Sequence, residues 1–569
     1  MAKTTYKFSF WSSVWNQFKR NRLALFASCL VVLFCLVGIY APFLASSKPL
    51  MVRFDGEWFF PLFRYLFFPG FFTKSLDLFY NLLIFTFPLF LLLGSILRES
   101  PKVRFWSLLA LTTLHFSLFA FILYHTPHDP AADPQLNQAK QARIQKHLLA
   151  QKENPLITPP LLPNWEKELS YLNSYAKLNL VLRFQQRQAQ AQRLIPYEAS
   201  FAEEAKERGK TNLALPSLWE IDRQREEAEI AAQLEAIQHT KEGYPEAKAL
   251  VELVHNKCAA SEEGLPPWIQ CDFLTKLPEN ERNEFIAANK IVNAHEQAEA
   301  QLAFLEDRRG WLEKKVSELR YEVMPLLRPF HWEDDAGGEQ ALNRHINWWE
   351  LTRINRKDMV AALIFGVRVS LSVGFLAITL ALMIGIPIGA AAGYYGGKID
   401  IVTYRLIEIW ESMPTFFMLL MVVAFLQSKS IFLVIGVIGL FGWTGFSRFI
   451  RGEFFRQKQL PYVEACHALG FNDRYIMFSH LLPNAIPPLL TLVPFAIMGA
   501  ITSEAGLSFL GLGEEGSSSW GVLMDEGRSA FPSESYLLWP PAILLTILLV
   551  SIALVGDALR DALDPKLHI

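Results

Sequence analysis

The chain alternates between long apolar stretches and one long polar stretch. Residues 1–125 and 355–560 are strongly apolar, whereas residues from about 126 to 350 are polar and charged. Several of the apolar runs reach the roughly 20 residues that a helix needs to cross a bilayer. The pattern therefore predicts an all-α polytopic membrane protein that carries one large soluble insertion.

The apolar runs predict eight membrane spans, three before the insertion and five after it. In chain order they are 23–44, 76–97, 105–124, 369–394, 405–426, 431–446, 488–501 and 537–555. The predicted domains are a cytoplasmic interfacial helix at 1–22, an N-terminal transmembrane region of three spans at 23–124, an extracytoplasmic helical insertion at 125–350 and a membrane core of five spans at 351–569.

Basic residues give these spans an orientation. The segment 19–22, before the first span, and the link 98–104, between the second and third, are both basic. The positive-inside rule places both in the cytoplasm. Three spans after a cytoplasmic N-terminus leave residue 125 outside, so the insertion is predicted to be extracytoplasmic. The charged C-terminal residues are predicted to be cytoplasmic.

The insertion itself is expected to be mostly helical. Apolar residues recur at three- and four-residue spacing from Ala298 to Val323, which predicts the seam of a helical hairpin. His125, His128 and Asp129 form a cluster that suits either a metal or a solvated turn after a membrane helix, and we favour the turn. The net charge of −2 argues against nucleic acid as a partner.

The chain has five cysteines and no CxxC pair. If the insertion is extracytoplasmic, Cys258 and Cys271 lie in a compartment where disulfides persist. They are therefore a candidate disulfide. Two free thiols remain an equal alternative, because sequence spacing does not determine the separation of the Cα atoms.

Residues 461–484 form a short polar-edged segment between apolar runs, and they predict a helical hairpin. Pro461 suits the first turn of a helix. The helix dipole would also stabilise the negative charge of Glu464 in that turn. Gly470 is placed to end that helix in a left-handed conformation. In the second helix, Tyr475, Phe478 and Leu482 are predicted to form one apolar stripe.

This segment resembles the EAA loop of ABC-importer permeases. The matching residues are Glu464-Ala465-Cys466, Gly470 and Leu482-Pro483-Asn484, with Cys466 in place of the second alanine. In that family the loop is a cytoplasmic coupling helix that docks into the ATPase subunit. The resemblance therefore implies that the ATPase-coupling residues are Glu464, Ala465, Cys466, Gly470, Leu482 and Pro483.

Residues 355–569 resemble the C-type permease subunit of dipeptide and oligopeptide ABC importers. The matching pieces are FGVRVS at 365–370, GYYGG at 393–397, LSFLGLG at 507–513, WG at 520–521 and GDALRDALDP at 556–565. Residues 55–61, DGEWFFP, also look like the Yej-type branch. The resemblance implies a type I ABC-importer permease core of six helices. The two extra N-terminal helices and the insertion depart from that pattern.

The resemblance implies a permease subunit of an ATP-driven peptide importer in the bacterial cytoplasmic membrane. Its implied partners are a second, B-type permease, two cytoplasmic ATPase subunits, a solute-binding protein, the peptide substrate and the lipid bilayer. Nickel importers share these motifs, so nickel or another small solute is an alternative substrate. A membrane-anchored scaffold or receptor that uses the insertion is an alternative of another class.

No enzyme chemistry is expected in this chain. The run Gly396-Gly397-Lys398 is not a P-loop, because Ala392 stands where the first glycine is needed and Ile399 where Ser or Thr is needed. We therefore predict no catalytic, cofactor-binding or metal-binding residue. The resemblance assigns ATP and Mg to the partner ATPases.

Overall fold

The computed structural model describes residues 10–153, 158–207, 218–260, 276–331, 353–354, 357–426, 430–514, 516–529 and 538–563. The helices before residue 125 are α1 (Phe10–Arg20), α2 (Arg22–Ile39), α3 (Ala41–Leu44), α4 (Pro61–Tyr65), α5 (Ser75–Ile96) and α6 (Pro101–Tyr124). Those of the insertion are α7 (Pro134–Glu153), α8 (Trp165–Ser170), α9 (Ser174–Glu207), α10 (Leu218–Thr240), α11 (Tyr244–Ala260) and α12 (Glu279–Glu318).

The helices after the insertion are α13 (Met359–Tyr395), α14 (Gly397–Glu411), α15 (Thr415–Leu426), α16 (Ile431–Lys458), α17 (Pro461–Ala468), α18 (Asp473–Tyr475), α19 (Leu482–Leu490), α20 (Val493–Leu507), α21 (Trp520–Ser529) and α22 (Trp539–Leu563). Two π-helical segments, Ile476–Leu481 and Ser508–Leu512, follow α18 and α20. The strands are β1 (Met51–Phe54), β2 (Glu57–Phe59), β3 (Arg320–Val323), β4 (Arg353–Ile354) and β5 (Lys357–Asp358).

Seven helices of the described ranges are long and apolar enough to cross a membrane: α2, α5, α6, α13, α16, α20 with its π segment, and α22. Helices α14 and α15 would supply an eighth crossing, but they are bent by 73°. The prediction of one continuous span over 405–426 is therefore wrong. The break contains Pro414, which lacks an N–H and disfavours helical geometry in the residue before it.

Glycines allow α13 and α16 to pack backbone against backbone. A Cβ atom on Gly385 would lie 2.6 Å from the carbonyl oxygen of Trp443, and one on Gly393 would lie 2.7 Å from that of Arg451. Neither site has room for a side chain. Small residues at four-residue spacing are the usual means of close helix packing in lipid. The glycine spacing along α13 therefore allows α16 to approach its backbone closely.

The extra helix α5 is joined to the core by a buried arginine. Arg368 of α13 is fully buried, and its Nη1 lies 2.8 Å from Oδ1 of Asp77 in α5. Its Nη2 donates to Oδ1 of Asn81 at 3.0 Å, and its Nε donates to the carbonyl of Gly38 at 2.7 Å. Helix α6 then pairs with α5, where the Thr86 hydroxyl lies 2.9 Å from Nδ1 of His115.

The insertion packs on a small antiparallel sheet of order β2-β1-β3. Strand β1 precedes the extra helices and β3 directly follows α12, so the sheet joins the two ends of the region. The sheet and helices α9 and α12 share one apolar core. Its buried members are Val52, Phe54, Phe59, Leu178, Val181, Leu182 and Leu312.

The predicted helical seam does not continue to Val323. Helix α12 ends at Glu318, and Arg320–Val323 is a strand paired with β1. Leu319 has extended backbone angles, and Tyr321 has a positive φ of 52°. The strand satisfies backbone groups of β1 that a longer helix could not reach, and this long-range pairing overrides the local apolar spacing.

Candidate coupling site

The first arm of the hairpin has the helix ends that the sequence predicts. Helix α17 begins at Pro461, and Glu464 lies exposed in its first turn. Gly470 has a φ of +75°, which confirms the predicted left-handed conformation. The N–H of Gly470 donates to the carbonyl of His467 at 3.0 Å, and that of Phe471 donates to Cys466 at 3.1 Å. These two bonds form a Schellman motif, which ends the helix at a fixed angle.

The second arm differs from its prediction. Tyr475 is 50% exposed and Phe478 is 57% exposed, whereas Leu482 is partly buried, so the three residues of the predicted apolar stripe do not share one environment. The residues that pack inward are Ile476, Met477 and Leu481. The cause is the π-helical segment Ile476–Leu481, whose wider turns change which residues share a face.

The structure separates the six predicted coupling residues into two groups. Glu464, Ala465, Gly470 and Pro483 are exposed and available to a partner. Cys466 is buried in the transmembrane core, and Leu482 is partly buried against it. Cys466 is therefore not a contact residue in this conformation, because its small side chain faces the body of the protein rather than the outer surface of α17.

The exposed face also contains apolar residues that the sequence analysis did not assign to the coupling surface. Leu469 is 73% exposed and Phe471 is 42% exposed, and the ring centre of Phe471 lies 5.2 Å from that of Tyr475. We define the coupling face by its exposed side chains, which are those of Glu464, Ala465, Leu469, Phe471, Tyr475 and Phe478. The glycine at position 470 was the sequence signal for a turn here, but which side chains face outward depends on the π segment.

Polar contacts attach the hairpin to the end of α13. The hydroxyl of Tyr394 donates to Oδ1 of Asp473 at 2.7 Å, and Nζ of Lys458 donates to the carbonyl of Tyr394 at 2.6 Å. The hydroxyl of Tyr462 donates to Oε1 of the buried Gln457 at 3.1 Å. Tyr394 belongs to the GYYGG run, so this run contacts both the hairpin and the last residue of α16.

Ion pairs join the bent helix α14 to α16 beside the hairpin. Nη2 of Arg451 donates to Oδ2 of Asp400 at 2.9 Å, and Arg448 pairs with Glu411. The guanidinium of Arg451 also lies 5.4 Å from the ring centre of Tyr404. These contacts link α14 to the same end of α16 that holds Lys458, so the hairpin, α13, α14 and α16 form one connected group.

A buried carboxylate outside the hairpin connects two of the sequence motifs. Oε1 of Glu504 accepts hydrogen bonds of 2.7 Å from the hydroxyls of Ser508 and Ser519. The neighbouring Trp520 is fully buried, and its Nε1 donates to the carbonyl of Leu363 at 3.0 Å. The loop before α21 is thereby held against α13 and α20. The sequence analysis recognised these motifs but not their contact.

The remaining candidate sites lie mostly in the insertion. Cys271 and the side chain of Cys258 lie outside the described residues, so the disulfide stays a prediction. Oδ1 of Asp129 accepts hydrogen bonds from the Tyr65 hydroxyl at 3.2 Å and from the N–H of Ala131 at 2.8 Å. Over the part of the chain that the structure describes, no group of three or more His, Cys, Asp or Glu residues could hold a metal ion.

Comparison with known proteins identifies the family of the two membrane regions. Residues 385–569 match the family described as binding-protein-dependent transport system inner membrane component. Residues 9–58 match the N-terminal transmembrane domain of oligopeptide transport permease C. Both extra helices, α5 and α6, and the whole insertion fall between these two matches.

Individual relatives agree with the family matches. The chain is 38% identical to the peptidoglycan transport system permease protein YejE of Agrobacterium fabrum, over 39% of this chain and 58% of the relative. It is 35% identical to the inner membrane ABC transporter permease protein YejE of Escherichia coli, over 38% of this chain and 64% of the relative. The match thus spans less than two thirds of the length of either protein.

The oligopeptide transport system permease protein OppC of Haemophilus influenzae is matched over more of its length. The identity is 36%, over 43% of this chain and 79% of that protein. This similarity, together with the two family matches, identifies the family of the chain. The chain belongs to the family of binding-protein-dependent transport system inner membrane components, as a C-type permease of the peptide ABC importers that include the Yej branch.

Proposed function

We propose that this chain is the permease subunit of an ATP-driven importer of peptides. Its relatives include permeases named for oligopeptide and dipeptide transport, which favours peptides over nickel. The observation that carries the proposal is the coupling hairpin. It presents an exposed coupling face on one side and is hydrogen-bonded on the other to Tyr394, at the end of a helix long enough to span a membrane.

Coupling would work through these contacts. One of the two partner ATPases binds the coupling face, and the ATPase pair supplies the ATP and Mg sites. Closure of the ATPases moves the hairpin, and the Tyr394–Asp473 and Lys458–Tyr394 bonds pass the movement to α13 and α16. A B-type permease completes the pathway, and a solute-binding protein delivers the peptide. Transport requires that ATP and the loaded binding protein bind the two states of the permease with different affinities.

Two packing relationships support the proposed orientation. Val14 and Phe18 of α1 are buried against Ala558, Ala562 and Leu563 of α22, so the two ends of the chain share one side of the membrane. The β1–β3 pairing likewise puts residues 51–54 on the same side as the end of the insertion. With the basic segments, these relationships favour cytoplasmic termini and an extracytoplasmic insertion.

Cysteine labelling in spheroplasts tests that orientation. In a variant without native cysteines, Glu306→Cys in α12 should react with a membrane-impermeant maleimide before lysis. Ala468→Cys at the exposed end of α17 should react only after lysis. Both positions are exposed, so a difference in labelling reports sidedness rather than burial. The opposite pattern would reverse the proposed topology.

Reconstitution with the partner subunits tests the transport function. The purified chain should hydrolyse no ATP, and the full assembly should take up a labelled tripeptide only with ATP. Glu464→Lys should weaken ATPase co-purification and abolish uptake, because it places a cation at a helix N-terminus on the coupling face. Glu284→Lys, an exposed residue of α12, is the matched control and should transport normally. An assembly that forms without any uptake would favour the scaffold function.

A further inference from the structure

A cavity lies between three helices of the insertion, more than about 140 residues before the coupling hairpin in the sequence. It has a volume of about 270 Å³ and is lined by residues of α9, α10 and α12. Its apolar lining consists of Leu180, Phe184, Leu305 and Leu312. Leu305 and Leu312 are buried, so the floor of the cavity belongs to the packed interior of the helical bundle.

Arginines dominate the rest of the lining. Six arginines and three carboxylates border the cavity, so the local charge is positive. Some arginines are neutralised: Arg187 pairs with Asp222, and Arg309 lies 3.2 Å from Glu313. Arg183, Arg225 and Arg308 have no ion pair with any residue that the structure describes. They come one from each helix, and all three are exposed at the rim.

We propose that this cavity binds the C-terminal end of a peptide, with the carboxylate at the rim arginines and an apolar side chain on the floor. A guanidinium forms bidentate, charge-assisted hydrogen bonds to a carboxylate. The volume lies just below the roughly 300–1,000 Å³ of sites for drug-sized ligands, which suits one terminal residue better than a nucleotide or a lipid. The apolar floor can bury the side chain of a peptide's last residue, whereas an inorganic anion has no apolar group to bury there.

This inference rests on the proposed peptide import and adds a second place where substrate is recognised. With the insertion outside the cytoplasm, the cavity would meet peptides before they enter the membrane pathway. It would raise the local peptide concentration at the transporter, or select peptides with a free, apolar C-terminal residue.

Binding to the full-length chain in detergent tests the site directly. The probe is the tripeptide Ala-Ala-Phe, compared with its C-terminal amide, by isothermal titration calorimetry. The double variant Arg183→Gln/Arg308→Gln should weaken tripeptide binding by about tenfold or more, because a hydrogen-bonded charge pair is lost at each position. Arg282→Gln is the matched control, since Arg282 is an exposed arginine near the start of α12, and it should bind like the wild type.

Each outcome supports or overturns the assignment. The free tripeptide should bind more tightly than its amide, and inorganic phosphate at equal concentration should not displace it. Equal binding of acid and amide, displacement by phosphate, or unchanged affinity in the double variant would overturn the site. Because the measurement needs neither ATP nor partners, its failure beside normal uptake by the full assembly would reject the cavity and leave the importer function standing.

Discussion

The hydroxyl of Tyr394 lies 2.7 Å from Oδ1 of Asp473, and this hydrogen bond joins the last turn of a spanning helix to the second arm of the coupling hairpin. Tyr394→Phe removes the bond but keeps the ring, so about 1 kcal/mol of the attachment should be lost. Insertion should be normal and uptake slower, as measured with labelled peptide. Tyr395→Phe is the control, because this neighbour is 47% exposed; equal rates in both variants would remove Tyr394 from the coupling path.

The backbone at Gly470 predicts a difference between two substitutions. A Cβ atom there would meet nothing within 4 Å, yet φ is +75°, so only the conformation opposes a side chain. Gly470→Val should cost about 1–2 kcal/mol locally and weaken ATPase co-purification. Gly470→Asn should retain the ATPase, since asparagine tolerates left-handed angles. Retention of the ATPase by both variants would show that the turn angle is unimportant.

Gly385 should tolerate no side chain, because α13 and α16 approach each other most closely along this face. Gly385→Val would place its Cβ 2.6 Å from the carbonyl of Trp443, and overpacking of this kind costs about 1–3 kcal/mol. A lower melting temperature in detergent should result. Gly436→Val in α16 is the control, because its Cβ would lie in open space, and its melting temperature should be near that of the wild type. Equal melting temperatures for the two variants would contradict the close packing at Gly385.

Removing one partner of the Arg368–Asp77 ion pair should lower the stability of the protein much more than replacing both partners. Both groups are buried, so Arg368→Met alone leaves an uncompensated carboxylate and should destabilise by about 3–5 kcal/mol. The double variant Arg368→Met/Asp77→Leu removes both charges and should recover most of this loss in thermal melting. A double variant less stable than Arg368→Met would show that α5 is not held to the core through this charge pair.

His331 makes the stability depend on pH. The pKa of His331 is lowered to about 3, chiefly by burial, with Asp77 opposing the shift and Arg368 and Lys48 adding to it. The unfolded chain binds this proton near pH 6.5, whereas the folded chain does not. Stability should therefore fall by about 1.4 kcal/mol per pH unit as the pH drops from about 6.5 towards 3. Melting across that range should be flatter for His331→Phe, and parallel curves would exclude this origin.

Much of the architecture follows from composition and spacing alone. Uninterrupted apolar runs predict spanning helices because lipid offers no partner for backbone polar groups, and seven helices of the described ranges are long and apolar enough to span a membrane. The left-handed turn at Gly470 was equally predictable, because only local sterics decide it. The motif series at 365–370, 393–397 and 507–513 likewise indicated the permease family before any contact was known.

Contacts between distant residues could not be predicted in this way. The pairing of Arg368 with Asp77, the strand at Arg320–Val323 and the outward turn of Phe478 each depend on a partner that is far away in the chain or on a local change in helical period. The arginine-lined cavity is of the same kind, since Arg183, Arg225 and Arg308 come from separate helices. Local sequence determines most of the helices, whereas contacts between distant segments decide exceptions such as the strand at Arg320–Val323 and decide which charges meet.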